Sequence, residues 1–217
     1  MNFCRPLALS FLLVASVVTP AHAKSKVAPV TPAATTATTA ELGKAAPAFT
    51  AADAAGASRS LSEFAGKIVV LEWNNPECPF VKKHYSSGNM QALQKELTGK
   101  GVVWVSINSG AAGKRGALDG AGAKAMLTEK GSSPSAYLLD ADGKIGKAYG
   151  AKTTPHMYVI DAKGVLVYAG GIDDKATSNA DDVKGAKNYV RQAVDELLAG
   201  KPVSMASTQP YGCSVKY

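Results

Sequence analysis

Residues 68–85 read IVVLEWNNPECPFVKKHY: an apolar run, a turn-forming N-N-P-E, and a cysteine followed at once by proline. Ile68 to Trp73 is rich in β-branched residues and lacks apolar–polar alternation, which predicts a strand buried on both faces of a sheet. Pro79 suits the first turn of a helix, where a missing N–H is no loss. Cys78 therefore falls at a strand-to-helix junction, its sulfur beside unpaired helix N–H groups that stabilise a thiolate. A free thiol with a pKa of about 8.5 is only a few per cent ionised at neutral pH, and a lowering of about 1.5 to 2 units ionises roughly half of it.

Upstream, APAFTAADAAGASRSLSEFAGK places two short patches around an Asp-Ala-Ala-Gly turn, then Leu61 and Phe64 on a helical turn, and reads as a hairpin leading into the strand. Downstream, Phe80, Val81 and Tyr85 share a helix face that Ser86 to Asn89 interrupts, so the helix is kinked or restarted there. Met90, Leu93 and Leu97 fit a helix core stripe, closed by Gly99 to Gly101. Val102–Ile107 is a second buried-type strand, and Asn108–Gly116 is a loop. Residues 119–130 are a weaker helix with Asp119 as cap. Ser135–Leu139 is a third strand. His156–Ile160 and Val165–Ala169 form a hairpin across Asp161–Gly164. Residues 170–182 are loop-like, and Val183–Ala199 is an amphipathic helix. This order implies an α/β sandwich with a mixed sheet and helices on both faces.

The 217 residues suffice for one domain with tails. The net charge of +7 comes from single lysines spread along the chain, which reads as a solvated surface and argues against nucleic acid as a partner. Arg5, the apolar Leu7–Val18 and an A-x-A site at Ala21-His22-Ala23 mark residues 1–23 as a signal peptide. Cys4 leaves with it, and no later stretch is apolar enough to span a membrane. The expected location is outside the cytoplasm, in the periplasm if the source is Gram-negative. Residues 24–44, rich in Ala, Thr and Pro, read as a disordered linker. The domain then covers 45–200, and 201–217 is a tail carrying Cys213, the other cysteine of the mature chain.

Ala46, Pro47 and Phe49, then Leu61, Ser62, Phe64, Gly66 and Lys67, then Cys78, and finally Thr154 and Pro155 before MYVID and its Gly164 turn form a spaced set. Over residues 45 to 200 it resembles the thioredoxin-like superfamily and, within it, the alkyl hydroperoxide reductase and thiol-specific antioxidant branch. The resemblance implies a thioredoxin-like three-layer sandwich, a reactive thiol at Cys78, and a cis Pro155 that with Thr154 shapes the substrate strand. Two departures stand out. Asn75 and Val81 flank Cys78 where a C-x-x-C motif would place a second thiol. Asn75 also stands where peroxide-reducing members carry Thr, and Pro155 where they carry Arg.

Without a neighbouring thiol, Cys213 is the candidate resolving cysteine, brought back by a bend at Pro210, Tyr211 and Gly212. The two thiols are either a redox pair or a structural staple, the latter worth about 4 to 5 kcal/mol for so long a loop on the chain-entropy model. His156 and Lys82 are candidate supports for a Cys78 thiolate. Lys83 reads as solvated helix surface, His84 as surface or packing, and Trp73 as core. No cofactor or metal is implied, since Cys78, His84 and Met90 do not share a helix face. Expected substrates are protein or small-molecule disulfides, or a peroxide, with a separate reductant or oxidant partner. Thiol–disulfide exchange, thiol peroxidase activity and a non-catalytic binding module remain as alternatives.

Overall fold

The computed structural model describes residues 1–2 and 39–217, so most of the expected signal peptide and of the expected linker lies outside the described residues. The segment just before the domain is packed rather than loose. Ala40 donates to the Ala148 carbonyl and Gly43 to that of Leu166, so the ordered chain begins before residue 45.

In chain order the elements are β1 (Thr50–Ala52), β2 (Ser58–Ser60), β3 (Val69–Trp73), α1 (Pro79–Ser86), α2 (Asn89–Gly99), β4 (Val103–Asn108), α3 (Gly120–Lys130), β5 (Ala136–Leu139), α4 (Lys144–Tyr149), β6 (Thr153–Thr154), β7 (His156–Ile160), β8 (Leu166–Gly170), α5 (Tyr189–Leu198) and β9 (Cys213–Ser214). The central sheet runs β5-β4-β3-β7-β8, with β3 parallel to β4 and antiparallel to β7. The strand of the opening motif is thus the middle one, and all five of its residues are buried. Its side chains alternate between two cores, as the period of a strand requires. Val69, Leu71 and Trp73 pack with Tyr149 and Tyr158 on one face. Val70 packs with Val81, Met90, Leu93 and Val194 on the other, among α1, α2 and α5. The result is the three-layer sandwich that the resemblance implies.

Helices α1 and α2 are separate, as the Ser86–Asn89 interruption predicts: Gly88 caps α2 at a φ of +73°. Asp119 caps α3 through the Gly122 N–H. Helix α5 is shorter than its amphipathic pattern suggests. It starts at Tyr189 because Asn188 caps the Arg191 N–H, while residues 180–183 form a separate 3-10 turn. No helix among the described residues is long and apolar enough to cross a membrane.

The tail returns along the domain. Ala169 and Thr208 exchange backbone hydrogen bonds with the 206–208 segment and β8, and β9 then pairs antiparallel with β6, setting Cys213 opposite Thr154. Beyond it, Val215 donates to the Lys152 carbonyl and the Tyr217 hydroxyl to that of Ala151.

Candidate active site

Cys78 is the N-cap of α1, with Pro79 as the first helical residue. Its N–H donates to the Asn75 carbonyl, closing the turn that follows β3, and its own carbonyl receives the Lys82 N–H. The side chain is only 3 % exposed. As a thiol it donates to the Thr154 carbonyl at 2.9 Å, and the Thr154–Pro155 bond is cis. Cys213 approaches from the paired strand and is half-buried, and both thiols are free. The structure therefore brings together Cys78, Thr154, Pro155 and Cys213.

Gly212 makes the approach possible. A Cβ there would fall 2.0 Å from the Thr154 oxygen, and the backbone φ is +139°, a region that only glycine enters readily. The tail thus lies flush against the carbonyl that also holds the Cys78 sulfur.

Burial pushes the Cys78 thiol up, but hydrogen bonds from the Cys213 thiol and backbone, the Val81 N–H and Thr154 outweigh it and hold the pKa below the ordinary thiol value. Val81 is in the first turn of α1, so part of this is the helix N-terminus acting as the sequence implies. Cys213 moves the other way. Burial and the neighbouring Cys78 push it to about 11, with Lys216 and Arg115 pulling weakly against them. The two thiols are thus shifted in opposite directions, Cys78 toward the thiolate and Cys213 toward the thiol.

Among the described residues, neither of the two proposed cationic supports hydrogen-bonds the Cys78 sulfur. Lys82 is exposed on α1. His156 is buried, and its Nδ1 lies 3.1 Å from the Tyr158 hydroxyl and 3.3 Å from the Lys152 N–H. Burial, helped by the Lys152 charge, holds its pKa down to about 4, so at neutral pH the ring is uncharged and lends no positive field. Lys83, read from the sequence as solvated, is 1 % exposed, and His84 is fully buried beside it.

Beside the thiols lies a cavity of about 120 Å³ walled by Asn75, Glu77, Pro79, Arg115 and Lys216. The Asn75 amide does not face a substrate freely. Its nitrogen donates to the Arg115 carbonyl and its oxygen receives the Glu77 N–H, so it fixes the loop after β4 over the cysteine. Arg115 reaches back to Glu77 at 2.7 Å.

Sequence reading passed over Glu72. It is fully buried on the α1 side of β3, and its carboxyl is met by Tyr85, Asn74, Trp104, Ser106 and Gln94. Tyr85 belongs to α1, so this network ties the cysteine's helix to the central strand. The signal was visible: a lone carboxylate in a run otherwise fit for a double-sided core needs buried partners.

The chain matches the AhpC/TSA family over residues 42–169. Among solved structures it is similar to an uncharacterized conserved protein of Geobacillus kaustophilus, at 31% identity and a TM-score of 0.72 over 82% of this chain and 92% of that one. A hypothetical protein of Sinorhizobium meliloti 1021 is similar at 31% identity and a TM-score of 0.70, over 82% and 94% of the two chains. At 22% identity, with a TM-score of 0.50 over 60% of this chain and 85% of that one, the fold is shared with a candidate thiol:disulfide interchange protein, DsbE, of Chlorobium tepidum. Among curated proteins none matches.

Proposed function

Because the chain belongs to the AhpC/TSA family, we propose that it is an exported thiol–disulfide oxidoreductase whose redox centre is the pair Cys78 and Cys213. The observation that carries this reading is β9: a tail strand sets the second thiol opposite Thr154, whose carbonyl already holds the first.

The reaction divides into two displacements. The Cys78 thiolate attacks a substrate disulfide, forming a mixed disulfide and releasing one substrate thiolate, which takes up a proton. Cys213 then loses its proton and attacks the Cys78 sulfur, releasing the second substrate thiol. The substrate disulfide is reduced by two electrons and the enzyme dithiol becomes the Cys78–Cys213 disulfide, to be reset by a dithiol partner. Run backwards, the same steps oxidise a substrate dithiol.

The electrostatics order these steps. While Cys78 is a thiolate, its hydrogen bond and charge help keep Cys213 protonated. Once Cys78 is capped by substrate that charge is gone, whereas Lys216 and Arg115 still favour a Cys213 thiolate. The resolving thiol is released for attack by formation of the bond it is to break. Asn75, which holds the Arg115 loop, is occupied where a peroxide-reducing site would present a hydroxyl, and this favours exchange over peroxidase chemistry.

The test is thiol alkylation with mass analysis of the mature protein across a dithiothreitol series. A Cys78–Cys213 bond with a potential of about −120 to −270 mV is expected for a working exchange protein. A bond below about −300 mV would mark a staple, and absence of the bond would remove the two-cysteine mechanism. On the reduced protein, the pH profile of alkylation should show Cys78 ionising below an ordinary thiol and Cys213 near 11.

A further inference from the structure

Two residues before Cys213, Tyr211 enters a polar cluster under α1. Its hydroxyl donates to Asp173 Oδ1 at 2.5 Å and lies 3.1 Å from His84 Nε2. Its ring meets Phe80 edge-on and sits 5.4 Å from the Lys83 ammonium. Lys83 donates to the Lys175 carbonyl at 2.5 Å and lies 3.8 Å from Asp173 Oδ2. The Lys83 and Asp173 side chains are 0% and 2% exposed, which is rare for opposite charges unless the pairing has a use. Asp173 Oδ2 has no hydrogen-bond partner among the described residues, so the cluster is held by charge more than by saturated geometry.

We infer that Lys83, His84, Asp173 and Tyr211 form a latch that seats the tail on the cysteine's own helix, making Asp173 and Tyr211 positioning residues for the exchange reaction. The inference rests on the two-cysteine reading for its chemistry but not for its geometry. Lys83 and His84 are on α1, which begins at Cys78, and Tyr211 is followed by Gly212 and Cys213. One cluster thus grips both thiols' segments. It does so while both thiols are free, so Cys213 is in place before any bond forms. Its effective concentration at Cys78 is raised in the dithiol state, which favours the internal disulfide over the mixed one.

The test is Tyr211→Phe in the full mature chain. Loss of one charge-assisted hydrogen bond should lower the equilibrium constant of the Cys78–Cys213 disulfide about tenfold, a potential about 30 mV less negative. A second variant, Lys83→Met with Asp173→Leu, replaces the buried ion pair by apolar side chains, a change that folds tolerate, and should weaken the disulfide at least as much. Hydrogen exchange at the Cys213–Ser214 amides in a chain lacking both thiols gives an independent readout, and both variants should speed it about tenfold. An unchanged potential together with unchanged exchange would overturn the latch. If wild type forms no internal disulfide, the two-cysteine reading falls, and the exchange rates alone decide whether the latch stands.

Discussion

Helix α1 is held by two buried polar clusters of opposite design. Tyr85 joins it to Glu72, whose carboxyl is surrounded by five side-chain donors. Lys83 and His84 join it to Asp173, where one oxygen takes Tyr211 and the Lys175 N–H and the other faces the Lys83 ammonium at 3.8 Å and the uncharged His84 ring at 3.9 Å. The first is a saturated network, and such networks fix one arrangement. The second centres on one buried ion pair, Lys83 with Asp173, to which the tail residue Tyr211 is joined. They also differ in their place along the chain. Glu72 and Tyr85 lie inside the family-matched residues 42–169, and Asp173 and Tyr211 lie beyond them. One cluster thus ties the helix of Cys78 to the central strand, and the other ties the tail that carries Cys213 to that helix.

Glu72→Ala should produce the largest loss, about 4 kcal/mol or more in urea unfolding, because several buried donors are stranded at once. A loss under about 1 kcal/mol would remove the distinction between the clusters. Asp173→Ala should cost about 3 kcal/mol by leaving Lys83 buried without its partner, and adding Lys83→Met should return most of it. Failure of that second change to rescue would show that the ionic cluster is as irreplaceable as the Glu72 network. The smallest effect is acid sensitivity. Burial, with the Lys83 charge beside it, holds the His84 pKa down to about 3. The unfolded chain takes that proton below about 6.5, so the contribution is complete above pH 6.5 and declines as pH falls toward 3. Between pH 6.5 and 5 this amounts to about 1.5 kcal/mol. His156, held near 4 by burial, adds a similar share, so His84→Gln should remove about half of the decline in unfolding midpoint.

Much of this architecture was legible in order. The V-V-L-E-W run became the central strand, the Cys78–Pro79 junction a helix start, and Thr154–Pro155 the cis bond. Local chemistry fixes the first two, a buried run and a helix cap, whereas the cis bond was what the family resemblance implied. What escaped was set by distance. Lys83 has the composition of a surface residue, and only the Lys175 carbonyl, 92 residues along the chain, turns it inward. His156 sits next to the predicted proline yet spends its ring on Tyr158 and Lys152, because strand alternation turns it away from the sulfur. Asp173 lies in a stretch that sequence reads only as polar loop. Helix α5 was overextended because apolar spacing continues past the point where Asn188 caps it.

The clearance at Gly212 can be rewritten as a search pattern. No side chain fits between that residue and the Thr154 carbonyl, so a distant cysteine can reach Cys78 along this route only behind a glycine. Tyr-Gly-Cys near the end of a chain, joined to Pro-Glu-Cys-Pro far upstream and an aspartate between them, is a text signature of the shared thiol centre. In homologous chains the glycine and the second cysteine should be gained and lost together. Chains with a bulkier residue before the cysteine should have dispensed with the internal disulfide.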